Sequence, residues 1–349
     1  MGVYLCEEAA RCGYDVFVTS RRPHANRPGI TYLCGDGRDV SFVRDVIEKT
    51  HPDAIVDFML YGTNEFAARQ DLLLAKTGQY VFLSSYRVYA ESDVLTEGSP
   101  RLLDVSKDGE FLKTDSYALC KARCEDLLRK GIYRNWTIVR PSITYSRGRC
   151  QFGCLEASTV CYRALNGLPV VIPDEMLDKR TTMTWAGDVA KMLTRLLFNS
   201  AAQGEDFNVV TSESRTWQDV SDIYGKCLGM KRTSVSIPAY ERLTNRYQLV
   251  YDRMFDRAMD NRKVLQATGM RQQELIPLAV GLGQELAAIR EGSIRIEPDL
   301  ERNGLMDRMC GTRMSLDDVP WSKRLDYYRM RYPAVDFGCR CIRKMMRFA

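Results

Sequence analysis

Tyr117, Lys121 and Ser85 are the residues whose types and spacing are best suited to chemistry. Tyr117 and Lys121 are four residues apart, so a helix would place both side chains on one face. A lysine ammonium beside a phenol favours the phenolate, which makes the tyrosine a usable acid or base toward a hydroxyl group. Ser85 follows an apolar run and is able to hydrogen-bond the same oxygen atom.

The Tyr-x-x-x-Lys spacing is weak by itself, because a chain with 18 tyrosines can contain it by chance. Its position strengthens it. The pair opens a predicted helix, and the preceding predicted strand ends in Ser84 and Ser85, so these groups should meet where open α/β sheets bind ligands. The alternative, that Tyr117 and Lys121 have this spacing by chance, remains open at this point.

The elements that must position these residues form an alternating series in the first 140 residues. The predicted strands are continuously apolar, which is typical of strands covered by helices on both faces. We therefore predict an α/β fold with a doubly wound parallel sheet. The predicted helices are 3–12, 40–49, 65–77 and 117–130, and the predicted strands are 15–19, 30–33, 54–59, 80–84 and 136–139.

The pattern is mixed after residue 141, with helices predicted at 155–166, 187–198 and 218–227. From about residue 300 the chain becomes basic, and eleven Lys and Arg stand against six acidic residues, an excess equal to the net charge of +5 of the whole chain. The segment 337–348 interleaves Arg and Lys with Met, Phe, Ile and Cys. We expect a terminal helix packed on the protein, with contact to a membrane surface as the alternative.

Composition argues against several classes of function. The two histidines, His24 and His51, have loop-like surroundings, which disfavours a Ser/His/Asp hydrolase and a histidine-ligated zinc enzyme. The twelve cysteines include no CxxC pair and no Cys/His cluster, so we predict no metal site. The modest net charge lacks the clustered basic stripe of nucleic-acid-binding proteins, and no nucleic-acid partner is predicted.

The amino-terminal sequence MGVYLCEEAAR lacks the basic start and apolar stretch of a secretory signal. No apolar run reaches the roughly 18 residues that a membrane helix needs. Cysteines in a long chain without such a signal fit a reducing compartment. We therefore expect a cytoplasmic protein.

Several segments, taken in chain order, resemble the extended short-chain dehydrogenases, the NAD(P)-dependent epimerase/dehydratase family. The resemblance covers about residues 1–290. The matching segments are SSYRVY (84–89), the pair Tyr117 and Lys121, RPSITY (140–145), TTMTWAGDVA (181–190) and FNVVTSESRTWQDV (207–220).

The resemblance implies a catalytic site and a cofactor site on a Rossmann-like domain. Tyr117, Lys121 and Ser85 are the implied catalytic residues, with Lys121 also holding the ribose of the cofactor. For Asp36 and Gly37, after the second predicted strand, the alternative is an ordinary turn. For Met59 and Leu60, at the end of the third, it is ordinary core packing. The implied cofactor residues are Gly2, Ser20, Arg21, Arg22, Asp36, Gly37, Met59, Leu60, Ser84, Tyr117, Lys121, Pro141 and Ile143, and the implied substrate residues are Ser85, Tyr86 and Arg180.

The same resemblance implies how the chain is divided and what it binds. Residues 1–145 would form the NAD(P)-binding domain, residues 146–295 a substrate-binding region interleaved with the core, and residues 296–349 a basic tail. The implied substrate is a nucleotide-activated sugar, and the implied oligomer is a homodimer.

The amino-terminal part departs from the family pattern, because neither the expected first strand nor the Gly-x-x-Gly-x-x-Gly turn that binds pyrophosphate is found. Gly2 stands where the last glycine of that turn would fall, judged from its spacing to Ser20. We therefore expect a sheet without its first central strand, with exposed apolar neighbours. Trp185 and Ala186 are a second departure, since the family often has His-Val there.

Ser20, Arg21 and Arg22 follow the second strand of the family pattern, where NAD enzymes of this shape usually carry an acid for the ribose hydroxyls. Two guanidinium groups suit a 2′-phosphate instead, so NADP is favoured over NAD. A solvated arginine pair before Pro23 is the alternative.

The sequence therefore predicts an epimerase or reductase of nucleotide-activated sugars, of the kind used in bacterial surface-polysaccharide synthesis. A 4,6-dehydratase is disfavoured, because Tyr86 and Arg87 stand where carboxylates would be needed. The alternative is a non-catalytic or truncated Rossmann-fold binding protein, since some relatives resemble RNA-binding proteins of chloroplasts.

Overall fold

A computed structural model describes residues 1–337 of the 349-residue chain. They form two compact units, each assembled from separate parts of the sequence. The first unit contains Met1–Thr144, Thr182–Ser214 and Asp256–Pro277, and the second contains Tyr145–Thr181, Arg215–Phe255 and the residues from Leu278 onward. Except for Phe337, the terminal segment for which a helix is predicted lies outside the described residues.

Helices and strands alternate in the first part of the chain and become shorter and more mixed after residue 145. The helices are α1 Gly2–Arg11, α2 Val40–Thr50, α3 Thr63–Ala67, α4 Gln70–Ala75, α5 Leu102–Val105, α6 Gly109–Lys113, α7 Tyr117–Lys130, α8 Ala157–Leu165, α9 Asp174–Leu177, α10 Ala186–Leu196, α11 Trp217–Leu228, α12 Ile237–Glu241, α13 Arg246–Gln248, α14 Arg262–Thr268, α15 Leu278–Arg290, α16 Leu300–Cys310 and α17 Trp321–Arg331. The strands are β1 Val16–Ser20, β2 Ile30–Cys34, β3 Ala54–Asp57, β4 Gln79–Leu83, β5 Trp136–Val139, β6 Ile143–Tyr145, β7 Val170–Ile172, β8 Arg180–Thr181, β9 Met183–Trp185, β10 Glu205–Phe207, β11 Arg215–Thr216 and β12 Arg232–Ser234.

Four parallel strands form the central sheet of the first unit, in the order β10-β5-β4-β3. Every residue of the inner strands β4 and β5 is buried, as expected for strands that are covered on both faces. The structure confirms the predicted α/β class with a parallel sheet.

β1 and β2 form a separate two-stranded parallel sheet within the first unit. In the described range, β1 pairs only with β2 and β3 only with β4. Burial along β1 alternates, and Phe17 is 47% exposed. Continuous burial is therefore a wrong prediction for β1, because a two-stranded pair is covered less well than the interior of a larger sheet.

The prediction of one helix at 65–77 is wrong. The chain forms two helices there, α3 and α4, with a break at Arg69. The Arg69 side chain is buried and its guanidinium donates to the carbonyls of Gly37 at 3.4 Å and Arg38 at 3.3 Å. These bonds satisfy carbonyls of the turn after β2. Contacts between an arginine and distant backbone carbonyls do not change the local hydrophobic periodicity, so the sequence pattern does not reveal this break.

Several other elements begin or end where the sequence predicts, and in α2 a side chain fixes the first residue. The Asp39 carboxylate accepts from the backbone N–H of Ser41 at 2.8 Å at the start of α2. Helix α7 and strand β5 have the same bounds that the periodicity predicts, and Gly131 follows the last residue of α7.

A buried ion pair joins helices of the second unit. Arg163 on α8 and Asp307 on α16 are both fully buried, and Nη2 of Arg163 lies 3.0 Å from Oδ1 of Asp307. The hydroxyl of Tyr327 on α17 donates to the other oxygen of Asp307 at 2.7 Å. Among residues 1–337, no helix has both the length and the apolar character required to cross a membrane.

Candidate functional site

Helix α7 begins at Tyr117 and places Lys121 one turn further along. The Lys121 side chain is 4% exposed. Its ammonium donates to the backbone carbonyl of Leu83 at 2.7 Å and lies 4.6 Å from the ring centroid of Phe82. Because Leu83 ends β4, this bond fixes α7 to the carboxyl end of a central strand.

Ser85 is the second residue after β4 and is buried. It caps the short 3-10 turn Tyr86–Val88, since its Oγ accepts from the backbone N–H of Arg87 at 3.3 Å. The backbone N–H of Tyr86 donates to the carbonyl of Pro141 at 3.1 Å. The segment after β5, which holds Pro141 and the buried Ile143, therefore adjoins the turn that carries Ser85.

Arg87 connects this turn to α7. Its guanidinium carbon lies 5.0 Å from the centroid of the Tyr117 ring, a distance at which a cation is attracted to an aromatic face. The structure thus brings Ser85, Tyr117 and Lys121 to the end of β4. Tyr86 is buried, and the guanidinium carbon of Arg257 lies 5.8 Å from its ring centroid.

Glu125, one turn beyond Lys121, is fully buried and lies at the centre of a charge network. The Ser84 hydroxyl donates to its Oε1 at 2.6 Å, and Arg140 donates to both of its oxygens at 2.8 Å. Burial acts to raise the pKa of Glu125, but the charges of Arg140 and Arg129 and the hydrogen bonds outweigh it and lower the pKa below its usual value. Glu125 is therefore a carboxylate at neutral pH.

The sequence analysis did not predict the buried ion pair of Glu125 and Arg140, although the spacing of Glu125 from Tyr117 and Lys121 points to it. Residues 117, 121 and 125 recur every four positions, so they share one face of α7. The hydroxyl of Ser84 is bound to Glu125, so this serine contributes to holding the strand end. Arg140 also donates to the hydroxyl of Tyr89 at 2.7 Å.

The turn after β2 and the segment after β3 carry four of the predicted cofactor residues, Asp36, Gly37, Met59 and Leu60. A Cβ placed on Gly37 would lie 3.3 Å from Sδ of Met59, so the two residues are packed closely. Asp36 is exposed and accepts from the backbone N–H of Arg38 at 3.0 Å. Leu60 is exposed, and its carbonyl accepts from the Arg38 guanidinium at 3.3 Å.

Asp57, the last residue of β3, is a buried acid that the sequence analysis missed. Burial raises the pKa of its carboxyl. The carboxyl accepts from the Tyr80 hydroxyl and from the backbone N–H of Met59, both at 2.8 Å. These bonds fix the backbone that carries Met59.

Arg21 and Arg22 are exposed immediately after β1. The hydroxyl of Ser20 accepts from the backbone N–H of Arg22 at 3.2 Å and lies at the same distance from Nε2 of His24. These contacts shape the turn and leave both guanidinium groups on an exposed loop.

Gly2 and Arg180 are the two remaining predicted residues. Gly2 is the first residue of α1, and a Cβ placed on it would meet no atom within 4 Å. Arg180 is exposed on β8 and belongs to the second unit.

A parallel sheet with a serine after β4, followed by a tyrosine and lysine on one helix face, defines a Rossmann-type oxidoreductase of the short-chain kind. The chain belongs to the NAD dependent epimerase/dehydratase family, whose model matches residues 1–209. This match confirms the family that the sequence motifs resemble, and NAD(P) is its cofactor class.

The curated relative found by sequence is the chloroplast stem-loop binding protein of 41 kDa b from Arabidopsis thaliana. It is 25% identical over 251 residues, which are 67% of this chain and 62% of that protein. The chain thus spans less than two thirds of the length of this relative.

Solved structures of epimerases share the fold. UDP-glucose 4-epimerase of Thermus thermophilus, in complex with NAD, is 19% identical with a TM-score of 0.60, covering 84% of this chain and 96% of that one. The WbmH enzyme of Bordetella bronchiseptica, in complex with NAD⁺, is 14% identical with a TM-score of 0.60, covering 84% and 95%. At these identities the likeness establishes the fold.

Glu125→Gln should lower the free energy of unfolding by about 3 kcal/mol at neutral pH, because it leaves the Arg140 charge buried without its main counter-ion. Since the folded pKa of Glu125 is below the ordinary 4.5, its stabilisation is present above that pH and is lost as the pH falls through the folded pKa. Denaturant unfolding should therefore show a difference in the free energy of unfolding between the unchanged chain and Glu125→Gln, and this difference should become smaller below pH 4.5.

Glu110→Gln is the matched control, because Glu110 is highly exposed and pairs with exposed Lys113 on α6. It should change stability little at any pH. The role of Glu125 would be contradicted if Glu125→Gln lowered the free energy of unfolding no more than the control does, or if its effect did not depend on pH.

Proposed function

We propose that the chain is an NADP-dependent epimerase or reductase of nucleotide-activated sugars. The observation that carries the proposal is the convergence of Ser85, Tyr117 and Lys121 at the carboxyl end of β4, with Lys121 anchored on the carbonyl of Leu83. The fold shared with UDP-glucose 4-epimerase supports the substrate class.

Each residue has a defined task in this proposal. The phenol of Tyr117 takes the proton of a sugar hydroxyl, and the hydroxyl of Ser85 orients the same oxygen. The ammonium of Lys121 is held at the site by Leu83 and binds the ribose of the cofactor. NADP⁺, which Lys121, Arg21 and Arg22 would hold, would supply the acceptor for the hydride of the sugar carbon and, in an epimerase, the donor that gives it back to the other face.

The residues at the end of β1 favour NADP over NAD in this proposal. Arg21 and Arg22 are exposed there, and no acidic residue occupies positions 19–22. A guanidinium forks onto phosphate oxygens, whereas the ribose hydroxyls of NAD are usually held by a carboxylate.

The chain should bind NADP⁺ at least about tenfold more tightly than NAD⁺, because charge-assisted bonds to the 2′-phosphate are strong. Calorimetric titration with both dinucleotides measures this ratio. The double variant Arg21→Gln, Arg22→Gln should bring the ratio close to one.

Arg44→Gln is the matched control, since Arg44 is an exposed arginine on α2 outside the proposed site. It should keep the preference for NADP⁺. Equal affinities in the unchanged chain, or a preference that survives the double variant, would contradict the assignment of the 2′-phosphate to these arginines.

Tyr117→Phe should reduce turnover of a nucleotide sugar by about 10²- to 10⁴-fold, because the proton-transfer group is removed. Affinity for NADP⁺ should change little, since the ring and its contact with Arg87 stay in place. The measurements are steady-state kinetics and a dinucleotide titration.

Tyr133→Phe removes a half-buried hydroxyl just beyond the same helix and serves as the control. Its turnover should match that of the unchanged chain. Equal turnover in Tyr117→Phe would remove the catalytic assignment.

The cellular setting is part of the same proposal. None of the ten cysteines in the described part of the chain forms a disulfide, which is compatible with a reducing cytoplasm. We place the activity in the supply of sugars for surface polysaccharides, with residues 146–295 contributing the substrate region of a homodimer.

A non-catalytic binding protein is the second candidate, favoured by the match to a chloroplast stem-loop binding protein. A gel-shift titration with an RNA stem-loop tests it beside the NADP⁺ titration. Micromolar RNA binding without dinucleotide binding would favour this candidate, and dinucleotide binding without RNA binding would exclude it.

A further inference from the structure

A cavity of about 490 Å³ lies in the second unit of the chain. Three arginines line it: Arg242 directly after α12, Arg308 on α16 and Arg329 on α17. None of the described side chains that line it is among the residues proposed to react or to bind the dinucleotide or the sugar. Its volume is within the range of about 300–1,000 Å³ that is typical of small-molecule sites.

Close packing of α16 against α17 holds two of these arginines in place. A Cβ placed on Gly304 of α16 would lie 2.5 Å from the carbonyl oxygen of Tyr327 on α17, so the helix backbones approach closely. The hydroxyl of Tyr327 donates to the buried carboxylate of Asp307 at 2.7 Å. Arg308 follows Asp307 directly, and Arg329 is two residues after Tyr327.

The third arginine is attached to the same helix. The guanidinium of Arg302 on α16 donates to the carbonyl of Leu243 at 3.0 Å, and Leu243 follows Arg242. The three elements that carry the arginines are therefore bound to one another without any ligand. A site that is already formed loses little affinity to rearrangement when a ligand binds.

The cavity carries an excess of positive charge. Arg242 and Arg308 are exposed, and neither guanidinium has a hydrogen bond or an ion pair with another residue in the range 1–337. Arg329 is partly compensated, since its Nε lies 3.6 Å from the carboxylate of Asp336. The lining side chains thus carry three positive charges and one negative charge, which leaves a net charge of +2. Residues 338–349 contain no acidic side chain that could neutralise it.

Apolar side chains form the rest of the lining. Leu305 is buried, whereas the ring of Phe337 is 70% exposed, and Met330 and Pro333 complete this part of the wall. A ligand that fits the whole cavity therefore needs an anionic group for the arginines and an apolar part for these side chains.

We propose that this cavity binds a small organic phosphate, with the phosphate on the arginines and the apolar part of the ligand against Phe337 and Met330. A phosphate monoester carries nearly two negative charges at neutral pH, which matches the net charge of the lining. Guanidinium groups also bind phosphate oxygens through paired hydrogen bonds. The site is additional to the one in the proposed function and does not depend on it.

The test is a calorimetric titration of the full chain with phenyl phosphate and with inorganic phosphate at pH 8, where both are largely dianionic. Phenyl phosphate should bind about tenfold more tightly than inorganic phosphate, because its ring buries apolar surface. Arg308→Gln should weaken the binding of phenyl phosphate by about 10- to 100-fold, since a hydrogen bond between charged groups is lost.

Arg313→Gln is the matched control, because Arg313 is also an exposed arginine of the second unit and does not line the cavity. It should leave the affinity unchanged. The thermal midpoint without ligand should be the same in Arg308→Gln and in Arg313→Gln, since both side chains are exposed. The double variant Arg21→Gln, Arg22→Gln should also retain the affinity, which separates this cavity from the proposed dinucleotide site.

Phosphatidic acid carries the same phosphate group on a membrane surface, so a second arm measures sedimentation of the chain with vesicles of phosphatidylcholine and phosphatidic acid. Binding of soluble phenyl phosphate that is weakened in Arg308→Gln and kept in both other variants supports the proposal. Three outcomes overturn it and leave the proposed function standing: a dissociation constant above about 10 mM, an affinity that survives Arg308→Gln or falls equally in Arg313→Gln, and sedimentation with the vesicles without binding of phenyl phosphate. Loss of binding in the double variant also overturns it, because the phosphate would then occupy the proposed dinucleotide site.

Discussion

The buried ion pair between Glu125 and Arg140 is the interaction on which the rest of the candidate site depends. Removing two charges from water costs several kcal/mol for each ion, and only close geometry with further hydrogen bonds offsets that cost. Here Arg140 donates to both carboxylate oxygens, and Ser84 donates to one of them. The pair thereby ties α7 to the ends of β4 and β5. The relative positions of Tyr117 and Ser85 follow from this attachment.

Much of the site was accessible from the sequence because it depends on short-range patterns. The bounds of α7 and β5 follow from periodicity and from Gly131, and spacing alone puts Tyr117 and Lys121 on one helix face. The apolar runs of β4 and β5 reflect burial on both faces of an inner strand. The predicted roles of Ser85, Tyr117 and Lys121 stay predictions until the variants are measured.

The remaining features depend on contacts between distant segments, which local patterns do not encode. Arg69 interrupts a helix because its guanidinium satisfies carbonyls more than thirty positions away. The contact of Arg87 with Tyr117 joins two elements whose separation in the chain spans α5 and α6. The separation of β1 and β2 from the central sheet is likewise a property of strand pairing, since the apolar run of β1 resembles that of an inner strand.

The unpaired sides of β1 and β3 bear on how the chain behaves in concentrated solution. Along the side of each strand that has no partner among residues 1–337, backbone N–H and C=O groups are open to another extended segment. The exposed ring of Phe17 adds apolar surface to β1. Edges of this type template pairing between molecules, so we expect self-association of this chain to proceed through β1 and β3.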